Sequence, residues 1–516
     1  MSGAAVAARG ATTARSIDAS QRAMITVSVM LASLMQSLDN TIANVALPRI
    51  QGSLSATQDQ MAWVLTSYIV AAAIMTPLAG WLAGQFGRKR VFLVSVAGFT
   101  IASMLCGLAQ SLPQIVLARL FQGVCGAALV PLSQAVLLDI NPPERHARAM
   151  SVWVSGVILG PIIGPALGGW LTENYTWRWV FYINVPFGIL ALLGMLSFLP
   201  ETQMRKSRFD FFGFTALSIA IGGLQIMLDR GQLKDWFSSP EIVIEAVVAG
   251  VALYLFVVHM LTTTHQRFVS PALFADGNFV TGNVFIFIVG AVLFATLALL
   301  PPLLQDLLDY PVFTTGLVTA PRGIGTLISM FIVGRLIGKV DTRVIIGSGF
   351  ALTAFSLWQM TGFDLQMNTA TVVWSGLSQG LGTGFVFVPL AAATFATLNP
   401  ALRNEGTAIF SLARNIGSSI GISIVETLLT RNTQIMHAAL AAHVTPFSAA
   451  VRAQLRGGVG NAHALTSLNA AVTQQAAMIA YNDDFKLMMV LSLAAIPFVL
   501  LLRKGGKPSG DAVVME

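Results

Sequence analysis

Charge is what this sequence has least of. Only 10% of its 516 residues are Asp, Glu, Lys or Arg, where a soluble domain carries about 25%. Hydrophobic residues make up 55% and mean hydropathy is +0.73. That balance excludes one large soluble core and implies an integral membrane protein. Cysteine is nearly absent: Cys106 and Cys125 fall in apolar runs, so no disulfide framework is expected. No HExxH, no Cys/His ligand cluster and no nucleophile elbow occurs, so neither metal nor enzyme chemistry is expected. His437, His443 and His463 share one long loop, but at loose spacing. The glycine-rich GLGTGFVF (380–387) and GRLIGK (334–339) lie in apolar runs and follow no strand, so no nucleotide site and no cofactor are expected. A net charge of +7 and a pI near 9.7 elsewhere point to nucleic acid. Here the basic residues fill short loops between apolar runs, which is a membrane-orientation signal. The segment before Met24 is polar and shows no small-residue cleavage site, so the first span is expected to direct insertion.

A helical span takes roughly 20 apolar residues. Fourteen such runs are read, at 24–47, 59–80, 91–110, 114–138, 148–171, 179–199, 211–229, 241–261, 279–303, 314–336, 344–361, 371–396, 405–428 and 484–502. The predicted fold is all-α and membrane-embedded. An even count puts both termini on one side. The loops and tails on that side hold 18 basic residues, Arg88, Lys89, Arg90, Arg145, Arg148, Arg205, Lys206 and Arg208 among them, against 8 on the other. The positive-inside rule then makes both tails, 1–23 and 503–516, cytoplasmic.

The chain also repeats itself. FQGVCGAALVPL (121–132) returns as SQGLGTGFVFVPL (378–390), INPPERHARA (140–149) as LNPALRNEGT (398–407), and GWLAG (80–84) as GRLIG (334–338). Gly160 and Gly164 return as Gly417 and Gly421, and the offset stays between 254 and 258 residues. Two six-helix halves follow, 24–199 and 279–502, with a helix pair and its linkers inserted at 200–278. Duplicated halves around a site near the midplane are the architecture of secondary transporters.

Five features stand out against this background. GWLAGQFGRKR (80–90) links spans two and three, with Gly80, Gly84 and Gly87 for a tight turn and Arg88 and Arg90 beside it. GVILGPIIGPALGGWL (156–171) sets Gly156, Gly160, Gly164 and Gly168 at i, i+4 steps, interleaved with Pro161 and Pro165, which predicts a kinked, close-packed seam. SLDNTIANVALP (37–48) places Asp39, Asn40 and Asn44 within an arc of about 140°, closed by Pro48. Asp39 lies roughly 13 Å from Pro48, and Arg119 roughly 9 Å from Pro113 at the outer end of span four, so the two charges sit at similar depth. Pairing lowers the cost of each. Asp39 is read as the proton site and Arg119 as the cation that holds it ionised until substrate or conformation separates them; the competing reading is a static pair that fixes helix packing. Arg322 and Arg414 fall inside spans of the second half, where only Glu405 and Glu426, near span ends, are acidic in spans ten and thirteen. They give that half a positive lining unless they snorkel or bind helix carbonyls. Gln122 and Gln379 recur at equivalent repeat positions, as substrate hydrogen-bonders or as interhelical links.

The segments SLDNTIANVALP, GWLAGQFGRKR, RLFQGVCGAALVP and GPIIGPALGGWL, in this order, resemble the major facilitator superfamily. With fourteen spans they are similar to its drug/proton antiporter branch, the EmrB/QacA type, and the glycine/proline segment is similar to the motif that marks antiporters. One position departs: the superfamily's loop motif usually has an aspartate where Gly84 stands, which leaves Arg88 and Arg90 as the charges of that loop. The resemblance implies a multidrug exporter driven by the proton gradient, in the inner membrane of a Gram-negative bacterium. The arginines within spans argue for amphipathic substrates that are neutral or weakly acidic. Residues 429–482 have helical apolar spacing on both sides of GGVGN (457–461), so a helical hairpin is expected to continue the last two spans outward. EmrB-type resemblance implies a periplasmic adaptor protein as partner there, and with it an outer-membrane channel. Rival readings are an exporter of one metabolite or siderophore, a lipid flippase, and a membrane sensor that transports nothing.

Overall fold

A computed structural model of the protein describes residues 18–142, 145–202, 204, 208–263, 267–445 and 462–502. The tail segments 1–17 and 503–516 and the GGVGN break lie outside the described residues. The first half runs through α1 (Ala19–Leu54), α2 (Gln58–Phe86), α3 (Arg88–Leu108), α4 (Leu112–Gly126), α5 (Leu129–Ile140), α6 (His146–Asn174), α7 (Trp179–Tyr182) and α8 (Asn184–Phe198). The inserted pair is α9 (Phe211–Arg230) and α10 (Pro240–Thr262). The second half holds α11 (Ala272–Ala275), α12 (Gly277–Pro302), α13 (Val312–Thr319), α14 (Pro321–Leu336), α15 (Thr342–Met360), α16 (Thr369–Ala396), α17 (Arg403–His443) and α18 (Ala462–Phe498). Polar caps set several starts: the Asp18, Asp210 and Asp276 carboxylates accept first-turn N–H groups, and Thr57 with Gln60 forms a capping box.

Among the described residues, eleven helical segments are long and apolar enough to cross a membrane. The expected spans one, five and eleven (α1, α6, α15) form long helices outside that set. The polar run Gln36, Asp39, Asn40 and Asn44 dilutes the apolarity of α1. Pro48 does not close α1; the helix continues to Leu54 and ends at Ser55 in the left-handed region (φ 51°). Expected spans four, six and ten are each broken once, at Ala127–Ala128, Ile183 and Ala320, while span five runs unbroken through positions 161 and 165. Neighbouring helices tolerate such freed backbone groups inside a bundle, so proline alone does not locate the breaks.

The halves repeat in three dimensions: α1 packs on α6 as α12 packs on α17, and α2 and α3 pack on α4 as α14 and α15 pack on α16. Glycine lets these pairs approach. A Cβ on Gly160 would stand 2.7 Å from the Leu38 backbone nitrogen, and one on Gly164 would meet the Thr41 hydroxyl. Gly417 and Gly421 stand likewise against the backbones of Phe287 and Ala291. The halves meet through α2, α5 and α6 of the first and α13, α14, α16 and α17 of the second.

Helix α9 is stitched to both halves along one flank. The Thr66 hydroxyl of α2 donates to Asp229, while Ser419 and Ser423 of α17 donate to Gln225 Oε1 (2.9 Å) and the Leu228 carbonyl (3.0 Å). Trp236 Nε1, beyond α9, donates to Thr427 Oγ1 at 3.0 Å. Helix α10 turns Val247, Val251 and Tyr254 outward, an apolar face suited to lipid. With 41 and 37 residues, α17 and α18 reach roughly 60 and 55 Å, well beyond a hydrocarbon core of roughly 30 Å. His437 and Asn469 hydrogen-bond between them at 3.0 Å.

Candidate functional site

Asp39 has no accessible surface and Arg119 is 1% exposed. Arg119 Nη1 donates to Asp39 Oδ2 at 2.6 Å and to Gln122 Oε1 at 2.7 Å, and its Nε donates to the Val64 carbonyl at 3.2 Å. Asp39 Oδ1 accepts from Gln122 Nε2 (3.0 Å) and Asn184 Nδ2 (2.7 Å). Ser103 Oγ accepts from the same two amides and donates to the Phe181 carbonyl at 2.9 Å. The Tyr68 ring covers the guanidinium, 4.3 Å from its centroid. Five helices therefore converge around one carboxylate: α1 supplies it, α4 the cation and one amide donor, α8 the second amide donor, α3 the Ser103 hydroxyl that orients both amides, and α2 the aromatic lid.

A buried ion pair stands only where further hydrogen bonds satisfy both ions, because desolvation costs several kcal/mol per charge. Here three donors face Asp39, all suited to an ionised acceptor. A proton on the carboxylate would set O–H against N–H, so protonation must break part of the network. Gln122 belongs to this network and is fully buried. Asn40 and Asn44 make no hydrogen bond to Asp39: both are exposed, so the single polar face expected on α1 divides, and Asn40 reaches the cluster only through the Tyr68 hydroxyl. A helix turns about 100° per residue, enough to carry Asn40 out of the packed interface that holds Asp39. Asn184, Ser103 and Tyr68 were not anticipated, since single polar residues in apolar runs give no distinctive pattern.

A second cluster lies at the α2–α3 turn. Gly87 adopts φ 86°, ψ 138°, a conformation open essentially to glycine alone. The turn sends Arg88 inward, 6% exposed. Its Nη1 pairs with Asp139 Oδ2 of α5 at 2.5 Å, and its Nε donates to Asn404 Oδ1 of α17 at 2.9 Å. Arg403 Nη1, at the start of α17, holds the other Asp139 oxygen at 2.9 Å. Gly80 abuts the backbone at Glu405, where a Cβ would come within 2.9 Å of Cα. Gly84 faces open space, and Arg90 makes only an exposed contact with Glu201 at 3.8 Å. The ion pairs of this junction run through Asp139, not through position 84. Asp139, Arg403 and Asn404 lie within or beside the repeated segments at 140–149 and 398–407, the one signal that marked them.

The glycines of α6 line its contact with α1: Gly156 faces Met30, Gly160 faces Ser37 and Leu38, Gly164 faces Thr41, and Gly168 faces Ile42. Pro161 is half-buried, and the ring of Pro165 lies outside the described side chains. In the second half Gln379 is fully buried and donates to Thr296 Oγ1 at 3.1 Å, while its Oε1 has no partner among the described residues. Arg322 is 7% exposed. Its Nη2 donates to the Leu293 carbonyl at 3.2 Å, and its Nη1 has no partner among the described residues. Arg414, half-buried, reaches Asn415 Oδ1 at 3.4 Å and leaves a buried Nε unpaired. One second-half carboxylate escaped the sequence reading: Asp484 of α18, 1% exposed with neither oxygen hydrogen-bonded among the described residues.

The sequence model of the Major Facilitator Superfamily matches residues 29–422, about three quarters of the chain. The chain belongs to the Major Facilitator Superfamily. Members of this superfamily are membrane transporters and not enzymes, and the many apolar helices fit a multi-pass membrane protein. Fatty acid resistance protein FarB of Neisseria gonorrhoeae is 36% identical over 487 residues, 93% of this chain and 96% of that protein. Multidrug export protein EmrB of Escherichia coli K12 is 38% identical over 476 residues, 91% of this chain and 93% of that protein. Among solved structures, the human organic anion transporter MFSD10 (TETRAN) superposes with a TM-score of 0.59 over 91% of this chain and 99% of that chain. At 14% identity that likeness shows the superfamily fold alone.

Proposed function

We propose that the protein is a proton-driven efflux antiporter that exports amphipathic, neutral or weakly acidic compounds across the inner membrane of a Gram-negative bacterium. It crosses the membrane fourteen times with both termini in the cytoplasm, and the proton gradient supplies the energy. The observation that carries the reading is the Asp39–Arg119 pair, a carboxylate and a guanidinium fully buried together among apolar helices. An intramembrane carboxylate at such cost is functional by default. Taking a proton from the outer side releases Arg119 and its amide partners; losing it to the cytoplasm re-forms the pair. The Arg88–Asp139–Arg403 junction joins the halves at the α2–α3 end, so the described conformation is closed toward the cytoplasm. The glycine seam between α1 and α6 lets those helices slide without side chains in the way. The names of FarB and EmrB support export of drugs and fatty acids. The extended α17–α18 hairpin supports a periplasmic adaptor as partner, joined to an outer-membrane channel.

The test is pH-driven transport in inside-out vesicles, where export reads as accumulation of substrate in the lumen. Asp39→Asn should abolish transport driven by a pH gradient while substrate binding and expression persist. Wild-type transport by that variant would sink the assignment and favour a static pair.

A further inference from the structure

Superposing the two halves through their glycine contacts shows what the second half holds in place of the buried ion pair. Gly123 of α4 lies against the Tyr68 carbonyl, and its repeat partner Gly380 of α16 lies against the Arg322 carbonyl. Arg322 therefore stands where Tyr68 stands in the first half. The repeat partner of Arg119 is Gly376, and a Cβ there would contact Arg322 Cβ at 3.7 Å, so glycine leaves room for this arginine. Along α12 the seam glycines Gly417 and Gly421 meet Phe287 and Ala291 as Gly160 and Gly164 meet Ser37 and Thr41. The position matching Asp39 is then Val289, which is buried and apolar. The second half keeps a buried guanidinium, at a different position from Arg119, and has an apolar side chain at the place of Asp39.

Nothing described compensates for that charge. Arg322 forms no ion pair among the described residues, and its Nη1 is buried without a partner. Asp484 is hydrogen-bonded to nothing described, so it is not the counter-ion. Gln379, the repeat partner of Gln122, also leaves its amide oxygen unpaired. Arg414 adds a second cation: its backbone carbonyl lies against Gly290, one turn along α12 from the Leu293 carbonyl that Arg322 holds. A desolvated guanidinium without a counter-ion is costly, and its planar fork matches a carboxylate.

We infer that Arg322 is the anion subsite of the transport site, taking the carboxylate head of an amphipathic acid, with the substrate's own charge playing toward Arg322 the part Asp39 plays toward Arg119. The inference rests on the reading of the chain as an exporter, and its test is a binding measurement so that the two can fail separately. The probes are dansyl-undecanoic acid and its methyl ester, which share a tail and differ in charge. They are titrated by fluorescence against the purified full chain in nonionic detergent. Wild type should bind the acid about tenfold or more tightly than the ester. Arg322→Gln should bring the acid down to the ester's affinity, and Arg322→Lys, which keeps the charge but loses the fork, should keep part of the preference. Gel filtration reports whether each variant is folded. Equal binding of acid and ester by wild type, or an undiminished acid preference in folded Arg322→Gln, overturns the subsite. If Arg322→Gln does not fold, an undiminished preference in Arg322→Lys overturns it as well. Transport of the ester in wild-type vesicles, with Asp39→Asn beside it, judges the exporter reading independently.

Discussion

Arg88 and Asn404, 316 positions apart in the sequence, are joined by a 2.9 Å hydrogen bond from Nε to Oδ1. The bond crosses from α3 to the first turn of α17 and so ties one repeat to the other. Asp139 completes the junction by accepting from an arginine of each half. A closure built this way opens only when these contacts separate together.

Asp139→Asn should therefore loosen the α2–α3 end. Hydrogen bonds to charged groups contribute about 1.5–3 kcal/mol, and the Asp139 side chain is about one third exposed, so the lower end applies. The balance should shift about tenfold or more toward the state open at that end. Hydrogen–deuterium exchange across the first turns of α17 reads the change; unchanged exchange would mean that the ion pairs do not hold the closure.

Arg119→Leu should be worse for stability than any single change in the gate. It strands a fully buried carboxylate and should cost about 3–5 kcal/mol. Adding Asp39→Asn to it should recover most of the lost thermal stability without restoring pH-driven transport. Detergent melting curves of the single and double variants supply the comparison. A double variant no more stable than the single would show that Asp39 is not the stranded charge.

The glycines give a graded series. Gly160→Ala presses on the backbone of α1, Gly164→Ala on the movable hydroxyl of Thr41, and Gly84→Ala on nothing within 4 Å. Transport should fall most for position 160, less for 164, and stay near wild type for 84, where alanine favours the helix by about 0.5–1 kcal/mol. Initial rates in vesicles would decide; a strong defect at 84 would return that position to the gate.

Replacing 432–480 with a short flexible linker should separate two roles. Drug resistance of whole cells should disappear if the α17–α18 extension carries the adaptor, while transport in vesicles, which need no adaptor, should persist. Loss of both would instead make the hairpin part of the carrier itself.

How much was legible beforehand depended on contrast. Asp39 and Arg119 were visible because each is a lone charge in an apolar run, and the repeats were visible because their offset is nearly constant. Asn40 and Asn44 share an arc of about 140° with Asp39, and an arc that wide spans both the packed edge of a helix and its exposed side, so the pattern alone did not separate them. Asn184 and Asp139 were missed for a different reason. Their importance comes from what another helix brings to them, and no local spacing encodes that. The helix break at Ala127–Ala128 was hidden too, since the apolar run passes through it unchanged.

Ser419, Ser423 and Thr427 recur every fourth residue, and each engages α9 or the turn beyond it, while Thr66 of α2 holds Asp229 on the same helix. On this flank the two repeats are bound through a third body, like pages sewn to a spine. A rocking motion that parts them there would have to break several hydrogen bonds in a medium that offers no water in exchange. The opposite flank, where α6 meets α14 and α16, carries no inserted helix. Alternation between the two faces should then be lopsided, hinging along α9 and swinging widest at α6, and a greasy substrate arriving sideways from the bilayer would find its way in on that side.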